Sequence, residues 1–179
     1  MRRMGMAGQD EELQQSFASL RFALLLAVFL VYLVMASQFE SLLHPFIIMF
    51  TLPMAVIGVV ATLALTGTPV SVMVLIGFII LAGIVVSNGI VLVAYVNQLR
   101  HLGRAKLDAL VEAGQVRMRP ILLTALATIL GLVPMALGFG EGAEIRAPLA
   151  LTIMGGLSFA TILTLFVIPV VYATLDRKP

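Results

Sequence analysis

Ser87 and Asn88 are the polar pair set deepest in apolar sequence, side by side and roughly midway between Pro69 and Arg100. A hydroxyl and an amide donate and accept hydrogen bonds without titrating near neutral pH, so this pair can orient a charge but cannot carry one. An amide surrounded by hydrocarbon must find a partner or lose several kcal/mol, so Asn88 is expected to face protein. Thr124 and Thr128 have the right side-chain type to receive it, and depth counted from Arg117 and Arg100 favours Thr128. The plainer reading of the same groups is interhelical glue, since polar side chains commonly bridge membrane helices.

Other chemistry finds less support. His44 and His101 both border apolar runs, and neither has a Cys, His or carboxylate at ligand spacing on a shared deep face, although Glu40 and His44 can touch across one helical turn. A surface pair is therefore expected there, and no metal or other cofactor. Gly138-Phe139-Gly140-Glu141-Gly142 superficially looks like a phosphate-binding loop, but no strand leads into it and no lysine follows in frame. The serines inside apolar runs have no histidine or lysine at depth to act as base, so the residues argue against an enzyme. Cysteine is absent, which removes disulfides and thiolate metal sites.

The elements that must position these groups follow from composition. Of 179 residues 61% are hydrophobic and 11% charged, against about a quarter charged in soluble domains. A formal charge of +2 is too small to point to nucleic acid. The partner is lipid: an all-α membrane protein is expected. No Asp, Glu, Lys or Arg occurs between Glu40 and Arg100, an interval far longer than the roughly 20 residues of one crossing. Breaks at His44-Pro45 and Thr66-Gly67-Thr68-Pro69 divide it, because proline opens a helix easily and the residue before it avoids helical geometry. Five transmembrane helices are predicted, over about 17–38, 45–65, 70–99, 120–139 and 147–175. The third and fifth, at roughly 45 Å, should tilt or overhang. Residues 1–16 precede the spans, 17–175 read as the transmembrane domain and 176–179 as a tail. In the connector 100–119, Leu107, Leu110 and Val111 at helical spacing among Lys106, Asp108 and Glu112 predict a short amphipathic helix on the inner membrane surface, or a solvated loop helix.

Small residues set the expected packing. Gly83 with Ser87 on the third helix and Thr124, Thr128 and Gly131 on the fourth form stripes that can meet, and Thr152, Gly156 and Ala160 form another on the fifth. Loop cations set the orientation. Arg100, Arg104, Lys106, Arg117 and Arg119 in the connector and Arg177 and Lys178 in the tail belong to the cytoplasmic side, while Glu141 and Glu144, beside Arg146 alone, lie outside. Five crossings then place the N-terminus outside, against the weak vote of Arg2, Arg3 and Arg21, which Asp10, Glu11 and Glu12 dilute. Nothing in the first residues looks like a signal peptide, so delivery by something upstream is expected.

The run Val31-Tyr32-Leu33-Val34-Met35-Ala36-Ser37-Gln38-Phe39-Glu40-Ser41-Leu42, with Pro45 and Leu52-Pro53-Met54-Ala55-Val56-Ile57-Gly58, resembles the opening of the last helical block of resistance-nodulation-division (RND) exporters. Gly83 to Val93 resembles the family's central polar-motif helix, Arg117 to Thr124 the start of the following helix, and Met154-Gly155-Gly156 with Pro169 the final one. The resemblance runs from about Glu12 onward and is specific for the superfamily. It implies a bacterial inner-membrane exporter with twelve helices per subunit in two similar halves, each of one helix, a large periplasmic portion and five helices. It implies a homotrimer, proton exchange for substrate, and a periplasmic adaptor and outer-membrane channel as partners. Only the final five helices are matched here, residues 1–16 resembling an exit segment at the end of a periplasmic domain, so the N-terminal half is an implied partner. The proton-carrying acids belong to that half. Where drug exporters of the family have a lysine this sequence has Ser87, the adjacent asparagine is kept as Asn88, Thr124 matches the relay threonine, and Arg117 matches a functional arginine at the cytoplasmic end. Ser87, Asn88, Thr124, Thr128 and Arg117 are thus the expected proton-coupling interface, in a chain expected to be a fragment or half of a split pump. A small membrane scaffold without transport activity, or an inactive relic, are the rival readings.

Overall fold

The computed structural model describes the backbone of residues 2–139 and 142–175, with side chains from residue 14 onward. Expectations resting on the side chains of Arg2, Arg3, Asp10, Glu11 and Glu12, on Glu141, and on Arg177 and Lys178 lie outside the described residues. The elements are α1 (Arg2–Phe39), α2 (Leu43–Met49), α3 (Thr51–Thr66), α4 (Val72–His101), α5 (Lys106–Ala136) and α6 (Ala143–Leu175). They supply five helical spans long and apolar enough to cross a membrane, α2 and α3 together forming the second.

Local sequence explains most boundaries. Proline at 53 would drive its ring against the carbonyl of Met49 in a continuous helix, and the chain instead breaks at Phe50, between α2 and α3. Gly67 ends α3 with φ of 64°, left-handed backbone that glycine adopts without steric cost. The Ser71 hydroxyl then caps α4 by accepting from the Val74 N–H at 3.4 Å.

The start of the fourth span differs from the sequence expectation, as does that of the first, α1 beginning at Arg2 rather than near residue 17. Pro120 was the predicted start of the fourth span, yet it lies inside α5, which begins at Lys106 and includes the connector. Burial explains the continuity. Ala109, Leu110 and Ala113 enter the same apolar core as Val96, Leu99 and Tyr172, so the connector docks on the C-terminal ends of α4 and α6 and the helix runs on through the proline. Leu107 and Val111 stay exposed on its other side.

Helix α6 is the centre of the bundle, packed against α3, α4 and α5, whereas among the described residues α1 packs only on α2 and α4. Two cores result. One joins α2, α4, α5 and α6 toward the C-terminal ends of α4 and α6, and the other joins α3, α4, α5 and α6 through Ala55, Val59, Leu81, Val85, Ala125, Leu157 and Ala160. Outward-facing Phe22, Leu130 and Phe166 are each about two-thirds exposed or more, as suits side chains that meet lipid or another apolar protein surface.

The close contacts are not those expected for Gly83 and Gly131. A Cβ at either position would have nothing within 4 Å, so neither marks a backbone approach inside this chain. Gly83 belongs to the face of α4 that lines a cavity toward α1, and Gly131 is exposed. Gly156 is tightly enclosed, a Cβ there meeting Leu81 and, at 2.8 Å, Val59. Gly77 approaches Leu149 and Thr152, and Gly58 approaches Gly155 and Phe159. The small-residue seams therefore join α6 to α3 and α4, rather than α4 to α5.

Candidate functional site

Ser87 lies on the exposed α1-facing side of α4, in the wall of a cavity of about 240 Å³ with Leu24, Val28, Met49, Gly83 and Ile90. Asn88, the next residue, is half-buried. The pairing expected with Thr128 is not formed. Thr124 Oγ1 donates to the Pro120 carbonyl at 2.9 Å and Thr128 Oγ1 donates to the Thr124 carbonyl at 2.9 Å. Each hydroxyl is satisfied on its own helix, the usual recourse of threonine where water is scarce. Among the described residues no hydrogen bond reaches the Asn88 side chain. Ser87 and Thr124 are both exposed in this chain, so they offer polar atoms to whatever packs there.

Arg117 joins α5 to α4. Its guanidinium carbon stands 4.7 Å from the centre of the Tyr95 ring, a cation-π contact, and its Nε is buried without a hydrogen-bond partner. The five residues expected to form one interface are thus spread along α4 and α5, with no hydrogen bond joining any of the two helices' members among the described residues.

A polar cluster that sequence reading did not assemble closes the end of the bundle where α4 and α6 terminate. Tyr172 on α6 is fully buried and its hydroxyl donates to Asn97 Oδ1 at 2.6 Å, while Arg100 Nη1 donates to the same hydroxyl at 3.2 Å. Asn97 Nδ2 donates to His44 Nδ1 at 3.3 Å, and the His44 ring stacks on Tyr172 with centroids 5.6 Å apart. His44 therefore joins a network linking α2, α4 and α6; Glu40, with a φ of 48°, lies in the turn after α1. Lys106 Nζ adds a tie from α5 to the Ala173 carbonyl at 2.7 Å. The only available signal was that Asn97 and Tyr172 are polar near the ends of apolar runs, and partners 75 residues apart cannot be matched by spacing. Tyr172→Phe leaves Asn97 Oδ1 and Arg100 without this hydroxyl, and is expected to cost about 1–3 kcal/mol, measured by SDS-titration unfolding in mixed micelles. An unchanged midpoint would show that the cluster adds nothing to stability.

Among the described residues no group of three or more His, Cys, Asp or Glu side chains is placed to hold a metal ion. Arg104 Nε pairs with Glu112 Oε2 at 3.7 Å, solvent-exposed on the connector.

Residues 2–176 match the model of the AcrB/AcrD/AcrF family. The chain is 43% identical over 171 residues to the swarming motility protein SwrC of Bacillus subtilis, an alignment that takes in 95% of this chain and 16% of that protein. It is 42% identical over 172 residues to the multidrug resistance protein MdtC of Photorhabdus laumondii, covering 96% of this chain and 17% of that one. Its fold is similar to crystal structures of a heavy metal efflux pump, with a TM-score of 0.86 and 35% identity for one crystal form, over 95% of this chain and 17% of the pump. The second form gives 0.82 and 34%. The chain spans about a sixth of the length of the relatives it matches.

Proposed function

The chain belongs to the AcrB/AcrD/AcrF family, within the RND superfamily of efflux transporters, and from that membership we propose that it is the C-terminal membrane part of a proton-driven exporter, unable to perform coupled transport alone. The observation that carries this reading is the extent of the fold match: all five spans superpose, at a TM-score of 0.86, on a stretch making up 17% of an efflux pump. The remainder of such a pump would supply the periplasmic portions and the titrating acids. In the assembly, Ser87, Asn88, Thr124 and Thr128 would meet that remainder, with Arg117 at the inner mouth. The exposure of Ser87 and Thr124 and the unpaired amide of Asn88 support this, because each has hydrogen-bonding capacity free for a neighbour.

The expected setting is the bacterial inner membrane, in a trimer joined by a periplasmic adaptor and an outer-membrane channel. The N-terminus would be periplasmic and the C-terminus cytoplasmic, as the cations of the α4–α5 connector indicate. Since the chain has no cysteine, single substitutions report this directly. Arg104→Cys should resist a membrane-impermeant maleimide in intact cells and Glu144→Cys should react, both side chains being exposed. The reverse pattern would overturn the orientation. The reading as a whole is tested by co-expression with the N-terminal part of a related pump: a stable complex that restores export, with none from either part alone, is expected. Failure of any RND N-terminal part to co-purify would favour the scaffold reading.

A further inference from the structure

Hydroxyls in membrane helices are ordinarily satisfied one turn back, on the carbonyl at i−4. This chain follows the rule repeatedly: Thr62 donates to Gly58 at 2.9 Å, Thr152 to Pro148 at 2.7 Å, Ser158 to Met154 at 2.7 Å and Thr174 to Val170 at 3.0 Å. Thr161 and Thr164 break it. They are 4% and 2% exposed, and neither Oγ1 has a hydrogen-bond partner. Both belong to α6, the helix enclosed on three sides, where no lipid headgroup or bulk water can reach them. An unsatisfied buried hydroxyl costs on the order of a whole hydrogen bond, and two together on the central helix call for a common partner.

Their spacing fits one. Side chains at i and i+3 of a helix stand about 5–6 Å apart at Cβ, a gap that a single water molecule bridges by hydrogen-bonding to both hydroxyls. Two hydroxyls meet the lower bound of the two to four polar partners that hold a buried water in place. The position has a depth as well. Gly156 packs on Leu81, and Ile168 on Gly89, so residues 156–168 of α6 stand level with 81–89 of α4, the stretch that contains Ser87 and Asn88.

We propose that Thr161 and Thr164 form a buried water-binding site at mid-membrane depth, held by the central helix at the level of the Ser87-Asn88 pair. The site is a property of this chain and does not depend on proton coupling or on the rest of a pump.

Water-edited solid-state NMR of the full chain in phosphatidylcholine vesicles tests it. Water magnetisation is expected to reach the Thr161 and Thr164 methyl groups early, and the side chains of Ile153 and Leu157, buried on the same helix, late. Thr161→Ser and Thr164→Ser should keep early transfer to their Cβ groups, and the double variant Thr161→Val with Thr164→Val should lose it. The sign of the stability change is a second readout. If water is held, the valine pair removes its anchors and lowers the melting temperature in detergent by several degrees. If the hydroxyls are dry and unpaired, valine of the same shape removes a burden and raises it. Threonine methyls as dry as Ile153 and Leu157, or a raised melting temperature in the valine pair, would overturn the site.

Discussion

Gly155→Ala is expected to open the seam between α3 and α6 and to cost about 3 kcal/mol, the upper end of overpacking in a close-packed interior. The added Cβ would meet Thr62 Oγ1 and lie 2.5 Å from Thr62 Cβ and 2.7 Å from Thr62 Cγ2. Thr62 cannot turn aside cheaply. Its hydroxyl is committed to the Gly58 carbonyl at 2.9 Å, and its Cβ is fixed by the backbone of α3. Nor can the helices separate locally, since a Cβ at Gly58 would stand 2.6 Å from Phe159 Cβ, which shows how closely the two backbones approach over this turn. Membrane helices associate through such contacts because burial from water does not drive them together, so a lost seam is not recovered by hydrophobic collapse. Thr62→Ala should not rescue Gly155→Ala, because alanine retains the offending Cβ. The controls are Gly83→Ala and Gly131→Ala, where the new methyl meets nothing within 4 Å and helix propensity favours alanine by up to about 1 kcal/mol. SDS-titration unfolding in mixed micelles distinguishes them. If Gly155→Ala unfolds at the wild-type midpoint, the α3–α6 contact is looser than described.

The contrast between Gly155 and Gly131 shows what the chain makes legible before folding. Spans are readable because hydrocarbon demands long apolar runs and because prolines and glycines interrupt them, and this is why α4 lies within two residues of its predicted range at each end. Which helix becomes the centre is not readable in the same way. These helices are apolar on most sides, since lipid and protein neighbours make similar demands on a side chain, so no polar face marks the outside. Gly83, Gly131 and Gly156 look equivalent along the chain, and only the neighbours brought by tertiary packing enclose the last of them. Pro120 misled for a related reason: proline opens helices often, but the burial of Ala109, Leu110 and Ala113 upstream outweighs its missing hydrogen bond. At the candidate site, Ser87 and Asn88 were legible as polar residues in an apolar run. Their partnership was not, because Thr124 and Thr128 each have a carbonyl of their own helix within reach.

That unpartnered state leads to the second large effect, the loss of proton-coupled export when Asn88 or Thr124 is replaced by alanine in an assembled pump. A proton carrier needs an ionisable group held at depth, where a charge costs roughly 2.5–3.5 kcal/mol or more and protonation can therefore move the protein between states. This chain has no Asp, Glu, Lys or Arg between Glu40 and Arg100. Arg117 and Arg119 on α5 are near the connector, and Glu144 and Arg146 on α6 are in its first turns. The hydroxyls and amide at mid-span do not titrate near neutral pH, so they act only by bonding differently to an acid supplied by another helix in its two protonation states. Reconstituted alone in liposomes under a pH gradient, the chain should give no proton flux above empty vesicles. Assembled with an N-terminal part, it should give flux that Asn88→Ala lowers strongly, since that amide has hydrogen-bonding capacity unused within this chain. Thr124→Ala should lower flux less, because the Thr124 hydroxyl already donates to the Pro120 carbonyl and only its lone pairs are left to offer. Ser87→Ala separates a cavity role from a coupling role: it should alter flux only if the acid approaches from the α1 side, where Ser87 lines the cavity. Coupled flux from the isolated chain would end the model of a dependent membrane part, whereas full flux in both the Asn88 and Thr124 variants would leave that model standing and remove these residues from the coupling path.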